Sequence, residues 1–309
     1  SASSLTAYSI TRDQFDNFVA NVAATAWSLQ SVNGGVVAGD LVAAGDSMSA
    51  VFSGNVIGTA VVRATSGALP TTDSGIITVT PGALASITVS PDAPSITADD
   101  TQAYTAAGFD SSLNSKGDVT GATTFSIVGS PAGSGSFTDD VYNPDLVGVY
   151  QVRGTNGAIT DDTTSLTVTP GVADSLSVTS GALSGTSVDS ALAAVTVSVV
   201  DANTNNVVDG TSVTVSKVTG AGTLSGTLTT TTSGGVATFS DIRYNKTDAF
   251  TVKFTSINDS ANSNSITLTA GAAAKVLVET AANGSGSVVA TQSITADQSV
   301  TGYSVTRDQ

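Results

Sequence analysis

A junction that recurs three times constrains this chain more than any other feature. Residues 76–90 read IITVTPGALASITVS, residues 165–179 read SLTVTPGVADSLSVT, and residues 265–279 read SITLTAGAAAKVLVE. In each, one alternating stretch meets a Pro-Gly or Ala-Gly break and a second alternating stretch follows. Alternation with period two marks a strand with one buried face. Pro81 and Pro170 lack an N–H, so a ladder stops there. Gly82, Gly171 and Gly271 stand 89 and 100 residues apart, the size of a small β-sandwich.

The spacing predicts strands running from one sandwich through a very short linker into the next. The expected fold is all-β, with domains over 1–82, 83–171 and 172–271, and a remainder at 272–309. Val195, Val197 and Val199 alternate with Thr196 and Ser198 as a half-buried strand does. The stretch DNFVANVAATAW could suit a helix by composition, but its β-branched residues favour an extended reading. Trp27, Phe109, Phe125, Phe239 and Phe254 are the expected large core residues.

Composition narrows the chemistry. The chain has neither Cys nor His, which removes thiol nucleophiles, zinc–thiolate sites and imidazole acid–base catalysis. Its net charge is -15, a poor match to a phosphate backbone, so no nucleic-acid partner is expected. No apolar run of membrane-spanning length occurs, so no direct membrane insertion by this segment is expected. The paired acids Asp99–Asp100, Asp139–Asp140 and Asp161–Asp162 are adjacent in sequence, and neighbours in a strand point to opposite faces. The chain is therefore read as non-enzymatic and without a cofactor, with calcium as the one ion to weigh. Asp201, Asn203 and Asn205 fall at i, i+2 and i+4 with Asp209 nearby, offering the hard oxygens calcium takes. Asn- and Asp-rich turns also arise from backbone geometry alone, and both readings stand.

The last eleven residues, SVTGYSVTRDQ at 299–309, repeat SLTAYSITRDQ at 4–14 with three changes: Leu5/Val300, Ala7/Gly302 and Ile10/Val305. Two readings follow. In one, the first module lacks the strand represented by Lys275–Glu279, and the C-terminal tail of one chain completes the first module of the next. Lys275, Val276, Leu277, Val278, Tyr303 and Val305 would then meet Leu5, Tyr8 and Ile10, building head-to-tail filaments. In the other, the ends of the sequence are arbitrary cuts and the tail frays or folds back.

Residues 172–271 resemble bacterial immunoglobulin-like domains of the invasin and intimin type. The resemblance lies in VTVSVVDANTNNVVDGTSVTVS followed by LTTTTSGGVATFSDI. Residues 83–171 are similar to related modules through YTAAGFDSSLNSKGDVTGATTFSI and GVYQVRGT, and residues 1–82 more weakly through AATAWSL and GTAVVRAT. The resemblance implies tandem immunoglobulin-like β-sandwich domains in an elongated rod, extracellular or at the cell surface. It implies a spacer in a stalk, filament or surface layer, with self-association or neighbouring modules of the same polypeptide as partners. The alternative is an accessory binding module for a glycan, a divalent ion or a host-cell surface.

Overall fold

A computed structural model describes residues 3–188 and 190–308. Regular structure among them consists of short strands, most of them paired antiparallel, and two 3-10 turns, Ala38–Asp40 and Thr120–Ala122. The predicted all-β class is the observed one, and the segment weighed as a helix contains the strand Phe18–Asn21. Tertiary contacts divide the chain into two compact units: Ser1–Ile96 with Thr101–Val168, and Thr97–Asp100 with Thr169–Gln309.

In the first unit, one group of strands carries the sheet Leu5–Tyr8, Ser49–Phe52, Leu41–Ala43 and the sheet Ala26–Gly34, Gly58–Thr65, Ile77–Val79. Val36, Phe52 and Ala60 form its buried centre, and Leu29, Leu41, Ile77 and Val79 pack around them. The extended stretch from Leu5 to Arg12 is broken at Ser9: Leu5–Tyr8 pairs with Ser49–Phe52, and Ile10–Arg12 pairs with Phe18–Asn21. Changing partner along its length divides the strand.

A second group in the same unit pairs Thr105–Phe109 with Ser86–Ser90 on one edge and Ser115–Asp118 on the other. A further sheet runs Thr124–Ile127, Val152–Asn156, Ile159–Asp162. The aromatic centre joins Tyr104 to Phe125 at 6.1 Å between ring centroids, and Phe137 to Tyr142 at 5.1 Å.

The second unit has the larger core. Val195–Val200 lies between Ser175–Val178 and Val236–Phe239, while Ser212–Thr219 and Thr251–Thr255 form the centre of a facing four-stranded sheet. Val195, Val197 and Val199 are buried, and Thr196, Ser198 and Val200 are half-buried. Each buried side chain of this size contributes roughly 1.5–3 kcal/mol. Tyr244 stacks on Phe250 at 3.8 Å, and Phe239 meets Phe254 at 5.4 Å in a tilted pair. Beyond these sheets, Lys275–Glu279 and Tyr303–Arg307 form an antiparallel pair.

Among the expected core residues, Phe125, Phe239 and Phe254 are buried. Trp27 and Phe109 are only half-buried, which corrects the expectation for both. The indole N–H of Trp27 donates to the Ser47 carbonyl at 3.0 Å. A ring holding a polar contact at the margin of the core keeps one side in water. Phe109 ends its strand where the register with Ser115–Asp118 shifts, so the bulge turns it away from the centre.

Candidate functional site: an aspartate–asparagine clasp at the linkers

One loop geometry appears three times, each after a strand that ends in an aspartate: Asp13–Asn17, Asp110–Asn114 and Asp201–Asn205. In each, the Asp N–H donates to the carbonyl of the Asn four residues on. The intervening third residue has positive φ, at 66° for Asp16, 63° for Leu113 and 67° for Thr204. That backbone turn points successive N–H groups at the aspartate carboxylate, as in an Asx turn.

The Asp110 loop shows what the carboxylate does with its second oxygen. Oδ1 accepts the N–H groups of Ser112 and Asn114, each at 2.9 Å. Oδ2 accepts the Asn114 side-chain amide at 2.8 Å and the Gly82 N–H at 2.8 Å. Gly82 is the linker glycine. The Asn114 amide also donates to the Asn55 carbonyl at 2.8 Å, and its oxygen accepts the Ile57 N–H at 3.0 Å. Lys116 donates to the Gly82 carbonyl at 2.7 Å. Asp110 and Asn114 are both buried, so each of these bonds replaces lost water.

An aspartate also holds each of the other two glycines, with the full Asp–Asn loop at Asp201. Asp201 Oδ1 accepts from Asn203 N–H at 3.0 Å and Asn205 N–H at 2.7 Å, and Oδ2 accepts from Gly171 N–H at 2.9 Å. Asn203 donates to the Ala98 carbonyl at 2.8 Å, and Asp99 accepts the Val172 N–H at 2.7 Å. A Cβ at Gly171 would stand 2.3 Å from both Asp99 carboxylate oxygens, so this approach needs glycine. Asp308 accepts the Gly271 N–H at 3.0 Å. Asp13 has the loop, with Phe15 and Asn17 N–H groups at 2.9 Å, but no linker glycine among the described residues donates to it.

Hydrogen bonds to the ionised form hold two of these acids, Asp110 and Asp13, below the ordinary carboxylate range. The Asn114 amide, aided by Gly82 N–H, brings Asp110 down to about 2. The Asn17 amide lowers Asp13.

The expected calcium residues are therefore placed as follows. Asp201, Asn203 and Asn205 do meet in one loop, and N–H donors occupy both oxygens of Asp201. Asp209 turns elsewhere and accepts the Gly234 N–H at 2.6 Å. No group of three or more acidic, His or Cys side chains gathers in metal-binding distance among the described residues. The expected assembly residues lie in two places. Lys275, Val276, Leu277 and Val278 pair with 304–307, bringing Val305 opposite Leu277, with Tyr303 opposite Glu279. Leu5, Tyr8 and Ile10 are exposed on the first strand group. Sequence reasoning passed over Asp13, Asn17, Asp110, Asn114 and Asp308. The Asp-x-x-x-Asn spacing at 13, 110 and 201 was visible, but it recurs at 139 and 241, so the spacing alone does not single out these loops.

A clasp of this kind fixes backbone, because its carboxylates accept N–H groups from segments distant in sequence. The strands form β-sandwich groups that follow one another along the sequence, with an aspartate bonded to the N–H of each of Gly82, Gly171 and Gly271. No family model matches the sequence, and no curated protein matches it. Among solved structures, the Escherichia coli adhesin FdeC overlays with a TM-score of 0.48 at 19% identity, covering 87% of this chain and 93% of that one. Surface layer protein SbsC, domains 1-6, overlays with a TM-score of 0.31 at 15% identity, covering 90% of this chain and 40% of that one. For the Yersinia pseudotuberculosis adhesin InvE the values are 0.26, 16%, 65% and 67%. No helix among the described residues is long and apolar enough to cross a membrane.

Proposed function

We propose that the chain is a non-catalytic structural segment of an extracellular or cell-surface stalk, filament or surface layer. Its modules meet at Gly82, Gly171 and Gly271, and copies join head to tail by donation of a C-terminal strand. The observation that carries this reading is the aspartate–glycine clasp repeated at all three linkers. A linker amide bonded into the following loop loses the freedom a flexible tether keeps, so bending at that point breaks hydrogen bonds. A carboxylate committed to each linker suits a spacer, whose task is to hold distance and direction.

The test uses the first linker. The chain has no cysteine, so spin labels on Val42→Cys and Val149→Cys, both exposed, report on the two strand groups that flank Gly82. Pulsed dipolar measurements are expected to give a narrow distance distribution in the parent chain and a broad one after Asp110→Ala. A parent distribution as broad as that of the variant would remove the spacer reading.

A further inference from the structure

In each later part of the chain, the strand that ends at a clasp aspartate carries another strand along one edge, in the same register. Ser86 lies opposite Phe109, the residue before Asp110. Ser175 lies opposite Val200, before Asp201, and Lys275 lies opposite Arg307, before Asp308. The corresponding strand before Asp13 is Tyr8–Arg12. Ser9 donates its N–H to Met48 and accepts from Val22 N–H. The N–H and C=O of one residue in an antiparallel strand face the same edge, so Ser49–Phe52 and Phe18–Asn21 share one side. No strand among the described residues pairs with the other.

Beside that open edge runs a groove of about 520 Å³, lined by Tyr8, Ile10, Arg12, Ala64, Leu69 and Thr72. The second strand group shows what such a space holds. There the ion pair Arg153–Asp162 takes the place of Arg63–Asp73, and Gly154 follows Arg153 as Ala64 follows Arg63. A Cβ on Gly154 would meet Val89 at 2.6 Å. The strand Ser86–Ser90 fills the space, with Ile87 and Val89 only 4% and 2% exposed and Val89 N–H bonded to Asp161 at 2.7 Å.

We propose that this groove takes the strand Lys275–Glu279 of a second copy of the chain, with Lys275 opposite Arg12, Leu277 opposite Ile10 and Glu279 opposite Tyr8. This rests on the structural-array reading and names its contact. Three observations select the occupant. First, Lys275–Glu279 already pairs in this register with Tyr303–Arg307, whose sequence YSVTR differs from Tyr8–Arg12 (YSITR) at one residue. Second, Val276 and Val278 occupy the register positions of Ile87 and Val89, yet they are 63% and 55% exposed. Third, Arg307 grips Glu279 through two bonds of 2.8 and 2.6 Å, and Arg12 is its counterpart in the groove. The Gly271 N–H, now on Asp308, would reach Asp13. The exchange replaces one ladder by a nearly identical one. It uncovers Val305 and covers Val276 and Val278, so apolar burial favours it.

Chains of residues 1–309 carrying Ile10→Cys are mixed with chains carrying Leu277→Cys, warmed to permit exchange, and oxidised. Facing residues in an antiparallel pair lie close enough for a disulfide, so the mixed dimer is expected at about tenfold the yield of an Ile10→Cys and Val276→Cys mixture, whose cysteines face opposite sides. Val276→Asp with Val278→Asp, added to the Leu277→Cys chain, is expected to abolish the dimer without lowering the melting temperature, since both positions are exposed in the single chain. Equal yields in and out of register, no dimer from folded chains, or a dimer that survives the double Asp change would each overturn the proposal. The distance distribution across Gly82 is read in single chains, so a failed cross-link with a narrow distribution removes the strand contact and leaves the spacer reading intact.

Discussion

The carboxylate of Asp110 accepts the backbone N–H of Gly82, 28 residues earlier, at 2.8 Å. Through that bond the loop after one strand holds the linker that precedes its own strand group. Asn114 extends the contact to Asn55 and Ile57, so two neighbouring side chains secure three backbone segments.

Replacing Asn114 by Ala would leave the Asn55 carbonyl and the Ile57 N–H without their partner and take one donor from Asp110. Asn55 and Ile57 are exposed and water can take over part of these bonds, so the loss is about 1–3 kcal/mol in total. Denaturant unfolding followed by the fluorescence of Trp27, the sole tryptophan, is expected to show a lower midpoint. An unchanged midpoint would mean that these bonds are replaced by water.

Acid should loosen the same point. Asp110 is held at about 2, below its ordinary 3.8, by the Asn114 amide and then by Gly82 N–H. Its contribution is therefore complete above the unfolded value near 4 and fades as pH falls through about 2. Melting temperatures between pH 5 and pH 2 should fall more steeply for the parent chain than for Asp110→Asn. Other lowered acids, among them Asp73 and Asp162, act in the same direction, and the difference between the two chains isolates Asp110.

Tyr104 offers a gain. Its ring is fully buried, its hydroxyl has no hydrogen-bond partner among the described residues, and burial pushes its ionisation up to about 12. Tyr104→Phe removes a desolvated hydroxyl and keeps the ring contacts, so stability is expected to rise by about 1 kcal/mol. A destabilised variant would show that the hydroxyl is satisfied in solution.

Calcium tests the loop at Asp201. Five hydrogen bonds from three residues already converge on this carboxylate, and an ion would have to displace some of them. The melting temperature is expected to be the same in millimolar calcium and in chelator. A calcium-dependent rise that disappears in Asp201→Asn would assign the ion to this loop.

The sequence by itself determined the all-β class. It also placed the alternating valines at 195, 197 and 199, because strand periodicity and the missing N–H of proline are properties of adjacent residues. It exposed the repeat at 4–14 and 299–309. Tertiary structure decided how the polar residues are used. Asp201 and Asn205 read as ion ligands when only neighbours are visible; the donor that completes the carboxylate, Gly171, lies 30 residues away, and Gly271 lies 37 residues from Asp308. Tertiary structure also set Trp27 at a margin rather than in the centre, through its bond to Ser47. Hydrogen-bond satisfaction and edge pairing depend on which distant segments arrive side by side, and alternation along a strand carries no record of that.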